Sequence, residues 1–228
     1  MGYSLNNKVA IITGGGSGIG KSIAELFADK KARVYILEID KKRGLAVQNE
    51  ILKNNNFGQF YHCDVSDETS IKAAVNSVLD AEKHIDILVN NAGISHIGTI
   101  EQTTSSDLDR VYNANVKSVY LTTKHVIGAM VKNGGGTILN LASIVAKVGV
   151  DERFAYSMSK GAVLAMTLSI AKDYIGENIR CNCICPARVH TPFVDDYLKK
   201  NYAGKEKEVF DKLSTFQPIG RMGQPDEI

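Results

Sequence analysis

Residues 8–20, "KVAIITGGGSGIG", set a short β-branched run directly before a glycine cluster that opens a helix-period segment. The order is strand, tight turn, helix, and it decides the fold class if the rest of the chain repeats it. The glycines fall as Gly14, Gly18 and Gly20, a spacing that differs from the GxGxxG of the best-known dinucleotide loop but follows the same physics. Glycine allows the turn and the close approach of backbone to a pyrophosphate, and the helix N-terminus aims unpaired N–H groups at the anion. A plain glycine-rich turn between strand and helix is the alternative.

The pattern does repeat. Strands are predicted near 8–13, 33–38, 58–63, 86–90, 136–142 and 179–185, with helices near 19–30, 41–54, 67–82, 104–132 and 154–175. Alternation of this kind marks βαβ units around a parallel sheet, an α/β fold. "GGGSG", "NNNFG", "NNAG" and "NGGG" fall between the periodic segments, where turns and caps need positive φ. Neither repeats nor linkers interrupt the chain, so a single domain is expected over 1–228. Residues 187–216 are charged and aromatic with weak periodicity; they read as a mobile excursion over the sheet rather than another βα unit.

Composition limits the partners. With 27 basic and 25 acidic side chains and a net charge of +2, no strong field attracts nucleic acid or an anionic membrane. A small-molecule partner fits better. The N-terminus lacks a basic segment followed by an apolar one, Asn6 fails the myristoylation pattern, and no run approaches membrane-spanning length. A cytoplasmic protein is expected. Cys181, Cys183 and Cys185 alternate in "RCNCICP" and, with Cys63, find no second Cys/His cluster. They read as small buried side chains on a central strand, with no metal, in a reducing cytosol.

The second predicted strand ends in Glu38, about 20 residues beyond the glycine loop, where a carboxylate can accept hydrogen bonds from ribose hydroxyls. A carboxylate there repels a 2′-phosphate; Ser17 is not basic and Ile39 follows the acid, so NAD is favoured over NADP. Lys41, Lys42 and Arg43 pull the other way unless they form only a solvated first helical turn.

The ordered set "TGGGSGIG" at 13–20, "CDV" at 63–65, "NNAG" at 90–93, Asn115, Ser143, "YSMSK" at 156–160 and "CPARVHTP" at 185–192 resembles the short-chain dehydrogenase/reductase superfamily. The resemblance implies a single Rossmann-type, doubly wound parallel sheet flanked by helices on both faces, holding cofactor and substrate together. It implies cofactor contacts from Gly14, Ser17, Gly18, Ile19 and Gly20, from Glu38, and from Asp64 and Val65 at the adenine. Asn91, Ala92 and Gly93 would line the cleft, and Pro186, Ala187, Val189 and Thr191 would surround the nicotinamide, with Tyr156 and Lys160 also touching the cofactor. The family continues with a further helix and a last strand beyond "GRMGQPDEI", so a sheet without its C-terminal strand is expected. Homo-oligomers, tetramers or dimers, would assemble through the helices near 104–132 and 154–175.

Tyrosine and lysine stand four apart twice, at Tyr120/Lys124 and at Tyr156/Lys160. The spacing alone makes each pair neighbours on a helix face. Thirteen residues before Tyr156 stands Ser143, at the carboxyl end of a predicted strand, where α/β sheets place ligands; thirteen before Tyr120 stands Asp107, near a helix start. Tyr156/Lys160 is therefore the expected acid–base pair. Tyr156 would take the proton of a secondary alcohol, Lys160 would lower its pKa and hold the nicotinamide ribose, Ser143 would orient the reacting oxygen, and Asn115 would support a proton-relaying water.

Arg153, one turn before Tyr156, and Arg188 bear on the substrate. A guanidinium can bind both oxygens of a carboxylate; the alternative is surface arginines paired with Asp151, Glu152 or Asp195. The local text is similar to the 3-hydroxybutyrate dehydrogenase and 2-keto-3-deoxy sugar-acid dehydrogenase branches, whose shared pattern has Gly at Ala187 and Thr at Arg188. An NAD-dependent dehydrogenase of a hydroxylated acid, sugar-derived, is expected. A neutral sugar or polyol is the alternative substrate, and a non-catalytic cofactor-binding regulator is the alternative class.

Overall fold

Six parallel strands form one sheet in the computed structural model, which describes residues 3–228; the first two residues of the expected domain lie outside it. The strands are β1 (Val9–Thr13), β2 (Arg33–Glu38), β3 (Gly58–His62), β4 (Ile87–Asn90), β5 (Gly136–Leu141) and β6 (Ile179–Ile184). Their order is β3-β2-β1-β4-β5-β6, so successive connections wind one way from β1 and then the other. Ile11 of β1 pairs in register with Tyr35 of β2 on one side and Leu88 of β4 on the other. At that reversal the connections leaving β1 and β4 part, and the crevice at the carboxyl ends of the strands is where such sheets bind ligands.

The helices are α1 (Gly18–Asp29), α2 (Lys41–Lys53), α3 (Glu68–Glu82), α4 (Ser105–Tyr112), α5 (Ser118–Lys132), α6 (Phe154–Asp173), α7 (Pro192–Asn201) and α8 (Glu206–Thr215). β1 is buried at every residue, as a central parallel strand must be when helices cover both faces. On one face Ile11, Leu88 and Ile138 meet Ile71, Val75 and Val78 of α3 and Leu121, Val126 and Met130 of α5. On the other, Ile12, Val34 and Ile36 meet Ile23 and Ala24 of α1 and Val47 and Ile51 of α2. Each such large side chain, fully buried, contributes about 1.5–3 kcal/mol relative to exposure. Among the described residues no helix is long and apolar enough to cross a membrane.

Three expectations change. The helix expected over 104–132 is interrupted by a π-helical turn at Asn113–Lys117 between α4 and α5; an inserted residue of this kind re-aims side chains, and here it carries Asn115. The excursion at 187–216 contains α7 and α8. Pro192 opens α7 with its φ already set for a helix, and Val189 pairs with Gly223 where the segment returns to the body. Finally, β6 is an edge strand of the six, and Cys181 is buried while Cys183, and Cys185 just beyond the strand, are half-buried, packed against Val119, Ala142 and Val163. All four cysteines are free thiols, and no cluster of metal-ligating groups occurs among the described residues.

Candidate active site

The glycine loop after β1 shows why its residues are small. Gly14 and Gly18 have φ of +64° and +53°, and a Cβ on Gly14 would lie 2.9 Å from Ala92 Cα. A Cβ on Gly20 would come within 2.3 Å of the Gly14 carbonyl oxygen. Gly20 therefore serves close packing of α1 on the loop and does not border the cavity. α2 and α3 are capped by the Asp40 and Asp67 carboxylates, whereas Ser17 at the start of α1 makes no capping hydrogen bond and no acid stands in the first turn. The N-terminus of α1 keeps its positive end for an anion.

Strand ends are stitched across the reversal. Asn91 Nδ2 donates to the Thr13 and Gly14 carbonyls, both at 3.0 Å, and Thr13 Oγ1 accepts from the Asn91 and Ala92 amides at 3.0 and 3.1 Å. The Asn91 side chain is thus spent on the loop. Glu38 is equally fixed: Oε2 accepts from Gly16 N and Oε1 from Asp40 N, each at 3.1 Å, and the side chain is nearly buried.

These ends open on one cavity of about 1160 Å³, above the size typical for a single drug-like ligand. Gly14, Ser17, Gly18 and Ile19 border it with Glu38, Asp64 and Val65; so do Asn91, Ala92 and Gly93. Ser143, Tyr156 and Lys160 border it from β5 and α6, and Pro186, Ala187, Val189 and Thr191 from the segment after β6. Left-handed glycines, an uncapped helix end and a fixed carboxylate fit a dinucleotide with room for a second small molecule.

Within the cavity, Lys160 is 6% exposed and its Nζ donates to the Leu141 carbonyl at 2.6 Å, 5.8 Å from the Tyr156 ring centroid. Burial draws Lys160 down to about 8. Burial also pushes the Tyr156 phenol up, opposed by hydrogen bonding to Ser143 and by the charge of Arg153. Lys160 Nζ is thus anchored on the Leu141 carbonyl beside the phenol, and Arg153 is a second cation close enough to oppose the effect of burial on Tyr156.

Asn115 does not border the cavity. It is buried, its Oδ1 accepts from Ile94 N at 2.7 Å, and its Nδ2 donates to the Ile94 carbonyl at 2.9 Å and Ser159 Oγ at 3.0 Å. Both amide protons are taken within the protein, so a water held at Asn115 would be the donor, to one of its oxygens. Asn115 also couples the chain beside Gly93 to α6.

Arg153 and Arg188 both border the cavity. Arg153 is held at the start of α6 by a bridge to Gly98, with Phe154 N donating to Gly98 O at 3.2 Å and Gly98 N to Glu152 O at 3.0 Å. Its Nη1 donates to the Glu152 carbonyl at 2.9 Å and its Nη2 to Tyr197 Oη at 3.0 Å. Among the described residues neither guanidinium pairs with a carboxylate; Asp195 pairs with His190 instead. Arg33, Arg43, Arg110 and Arg221 each have one, in Glu82, Asp40, Asp107 and Glu227. Arg180, which lacks one too, is exposed on β6 and donates to Thr137. Arg188 is lowered by burial and by the charge of Arg153, so the two guanidiniums feel each other. Tyr197 escaped the sequence reading, although Phe193 and Tyr197 at i,i+4 after Thr191-Pro192 already describe a helix face.

A family model described as short chain dehydrogenase matches residues 8–201. The uncharacterized oxidoreductase YxbG of Bacillus subtilis (strain 168) is 37% identical over 227 residues, covering 98% of this chain and 82% of the relative. The crystal structure of levodione reductase superposes with a TM-score of 0.94 at 28% identity, covering 97% of this chain and 87% of that one. L-sorbose reductase from Gluconobacter frateurii, complexed with NADPH and L-sorbose, gives 0.93 at 28% identity, covering 100% and 88%.

Proposed function

Because the chain belongs to the short-chain dehydrogenase/reductase family, we propose that it moves a hydride between NAD and the secondary alcohol or ketone of a hydroxylated acid, sugar-derived. The nicotinamide, when bound, supplies the hydride-exchanging carbon. Tyr156 takes the hydroxyl proton in oxidation and returns it in reduction; Ser143 fixes the reacting oxygen. Lys160, anchored on Leu141, would hold positive charge beside the phenol and hydrogen-bond the ribose of a bound cofactor. Asn115 couples the chain beside Gly93 to α6, and one of its oxygens would accept from the water that relays the proton.

One observation carries the substrate class: among the described residues neither guanidinium in the cavity pairs with a carboxylate, while Arg33, Arg43, Arg110 and Arg221 each have one. Half-buried like charges in one pocket are unfavourable until an anion enters, and a carboxylate suits the planar fork of a guanidinium. A neutral sugar or polyol would leave that repulsion in place, and a non-catalytic role would leave Ser143, Tyr156 and Lys160 without use. Initial rates with NAD across 2-keto-3-deoxy acids, 3-hydroxy acids and free sugars test this. Acids should be preferred, and Arg153→Ala should cut kcat/KM for the acid about 10- to 100-fold, as for loss of a charge-assisted hydrogen bond. Free sugars outpacing every acid would overturn it.

NAD is the proposed cofactor because Glu38 sets a fixed carboxylate at the end of β2, and Arg43, which could greet a 2′-phosphate, already faces Asp40 at 3.4 Å and Asp196 at 3.9 Å. Likeness to a reductase complexed with NADPH makes the test necessary. Glu38→Ala should reduce the NAD-over-NADP preference about tenfold or more, since like charges set together cost several kcal/mol; unchanged selectivity would reassign Glu38 to the loop alone. Free thiols at all four cysteines support a cytoplasmic setting. Exposed Tyr120 on α5 and Leu168 on α6 support assembly into dimers or tetramers.

A further inference from the structure

We infer that Tyr197 on α7 is a specificity-determining positioning residue, a neutral phenol that aims Arg153 at a substrate carboxylate without neutralising it. The inference rests on the hydroxy-acid reading above.

A guanidinium has five N–H donors, and any orienting partner must take some of them. Arg153 gives one to the Glu152 carbonyl and one to Tyr197 Oη, both uncharged oxygens. Tyr197 in turn donates its own proton to Tyr202 Oη at 3.3 Å, which leaves its lone pairs for Arg153. The guanidinium carbon also lies 5.3 Å from the Tyr197 ring centroid, and that ring is braced edge-on by Tyr202 at 5.6 Å. Orientation therefore comes from two hydrogen bonds and a ring face, with the positive charge intact.

Elsewhere the chain solves the same problem with a carboxylate, as where Arg110 meets Asp107 at 3.3 Å. That solution would cancel the field that a substrate carboxylate needs. Tyr197 borders the cavity, and it belongs to α7, whereas Arg153 stands at the start of α6. Recognition of the acid thus depends on α7 being seated against α6. A neutral alcohol places no such demand.

The test uses the full chain with NAD, its best hydroxy acid and a neutral secondary alcohol of the same carbon skeleton. Tyr197→Phe keeps the ring and removes the acceptor. Its KM for the acid should rise about tenfold with kcat within about twofold, so that the acid-to-neutral ratio of kcat/KM falls about tenfold. Tyr202→Phe should move the ratio the same way by about threefold, because Tyr197 keeps its oxygen but loses the group that orients it. Tyr197→Glu restores an acceptor but brings a charge, and it should lose acid preference at least as far as Tyr197→Phe. An unaltered ratio in Tyr197→Phe, equal losses on acid and neutral substrate, or a Tyr197→Glu variant that still prefers the acid would each overturn the role of Tyr197. A wild-type enzyme that prefers the neutral alcohol overturns the hydroxy-acid reading beneath it, and shows this before any variant is made.

Discussion

Tyr120/Lys124 on α5 and Tyr156/Lys160 on α6 have the same four-residue spacing and nearly the same separation, 5.5 and 5.8 Å from ammonium to ring centroid. Their surroundings are opposite. Tyr120 is 49% exposed, and Lys124 reaches out to Glu68 at 3.5 Å. Lys160 is buried against the Leu141 carbonyl. The Tyr120 phenol, once ionised, and the Glu68 carboxylate push Lys124 up, while burial draws Lys160 down to about 8. Helix geometry makes a pair; whether the pair borders the cavity or faces solvent decides whether it can do chemistry.

The largest effect that could break this contrast is on turnover. Tyr156→Phe removes the proton acceptor and should lower kcat about 10³-fold, within the range for loss of a general acid–base group. Tyr120→Phe should stay within about twofold, because nothing on α5 directs that hydroxyl at the cavity. Steady-state rates with the same substrate decide it, and comparable losses in the two variants would mean that burial is not what separates them.

The same contrast marks how far the sequence was legible. β2 is observed at the residues predicted, Arg33–Glu38, because a strand covered on both faces reads as a short apolar, β-branched run between breakers. The glycine loop and Ser143 were legible for a similar reason: both sit where a strand ends, and strand ends were visible. Asn115 was legible as a residue but its side-chain partners were not, since the apolar pattern runs through the π-helical turn without a break and Ile94 and Ser159 come from distant chain. The anchor of Lys160 was hidden because its acceptor is on β5, and Tyr197 was missed because only the docking of α7 brings it to Arg153. Local signals announce elements; contacts between elements announce chemistry.

A smaller effect, on stability, sharpens the contrast by its sign. An exposed lysine has a pKa of 10.5, and Lys160 in the fold is at about 8. Below pH 8 both folded and unfolded chains carry the proton, and the fold bears the whole burden of a buried ammonium. Between pH 8 and 10.5 the folded chain releases the proton while the unfolded chain keeps it, so stability rises with pH. The gap corresponds to about 3 kcal/mol. Lys160→Met removes the group, so wild type should gain on that variant by about this amount from pH 7 to pH 10.5, read from urea midpoints at each pH. Lys124 must behave the other way. Its folded pKa is raised, so its contribution is present below 10.5 and is lost as pH climbs through the folded value. Being exposed, that contribution should also fade in 1 M salt, where screening acts over about 3 Å, while the Lys160 difference persists. A wild-type advantage over Lys160→Met that stays flat with pH would place the ammonium in water and make the two pairs alike. A slope of the expected sign would mean that α6 holds its lysine at a cost to the fold, as a group kept for the cavity is expected to be held.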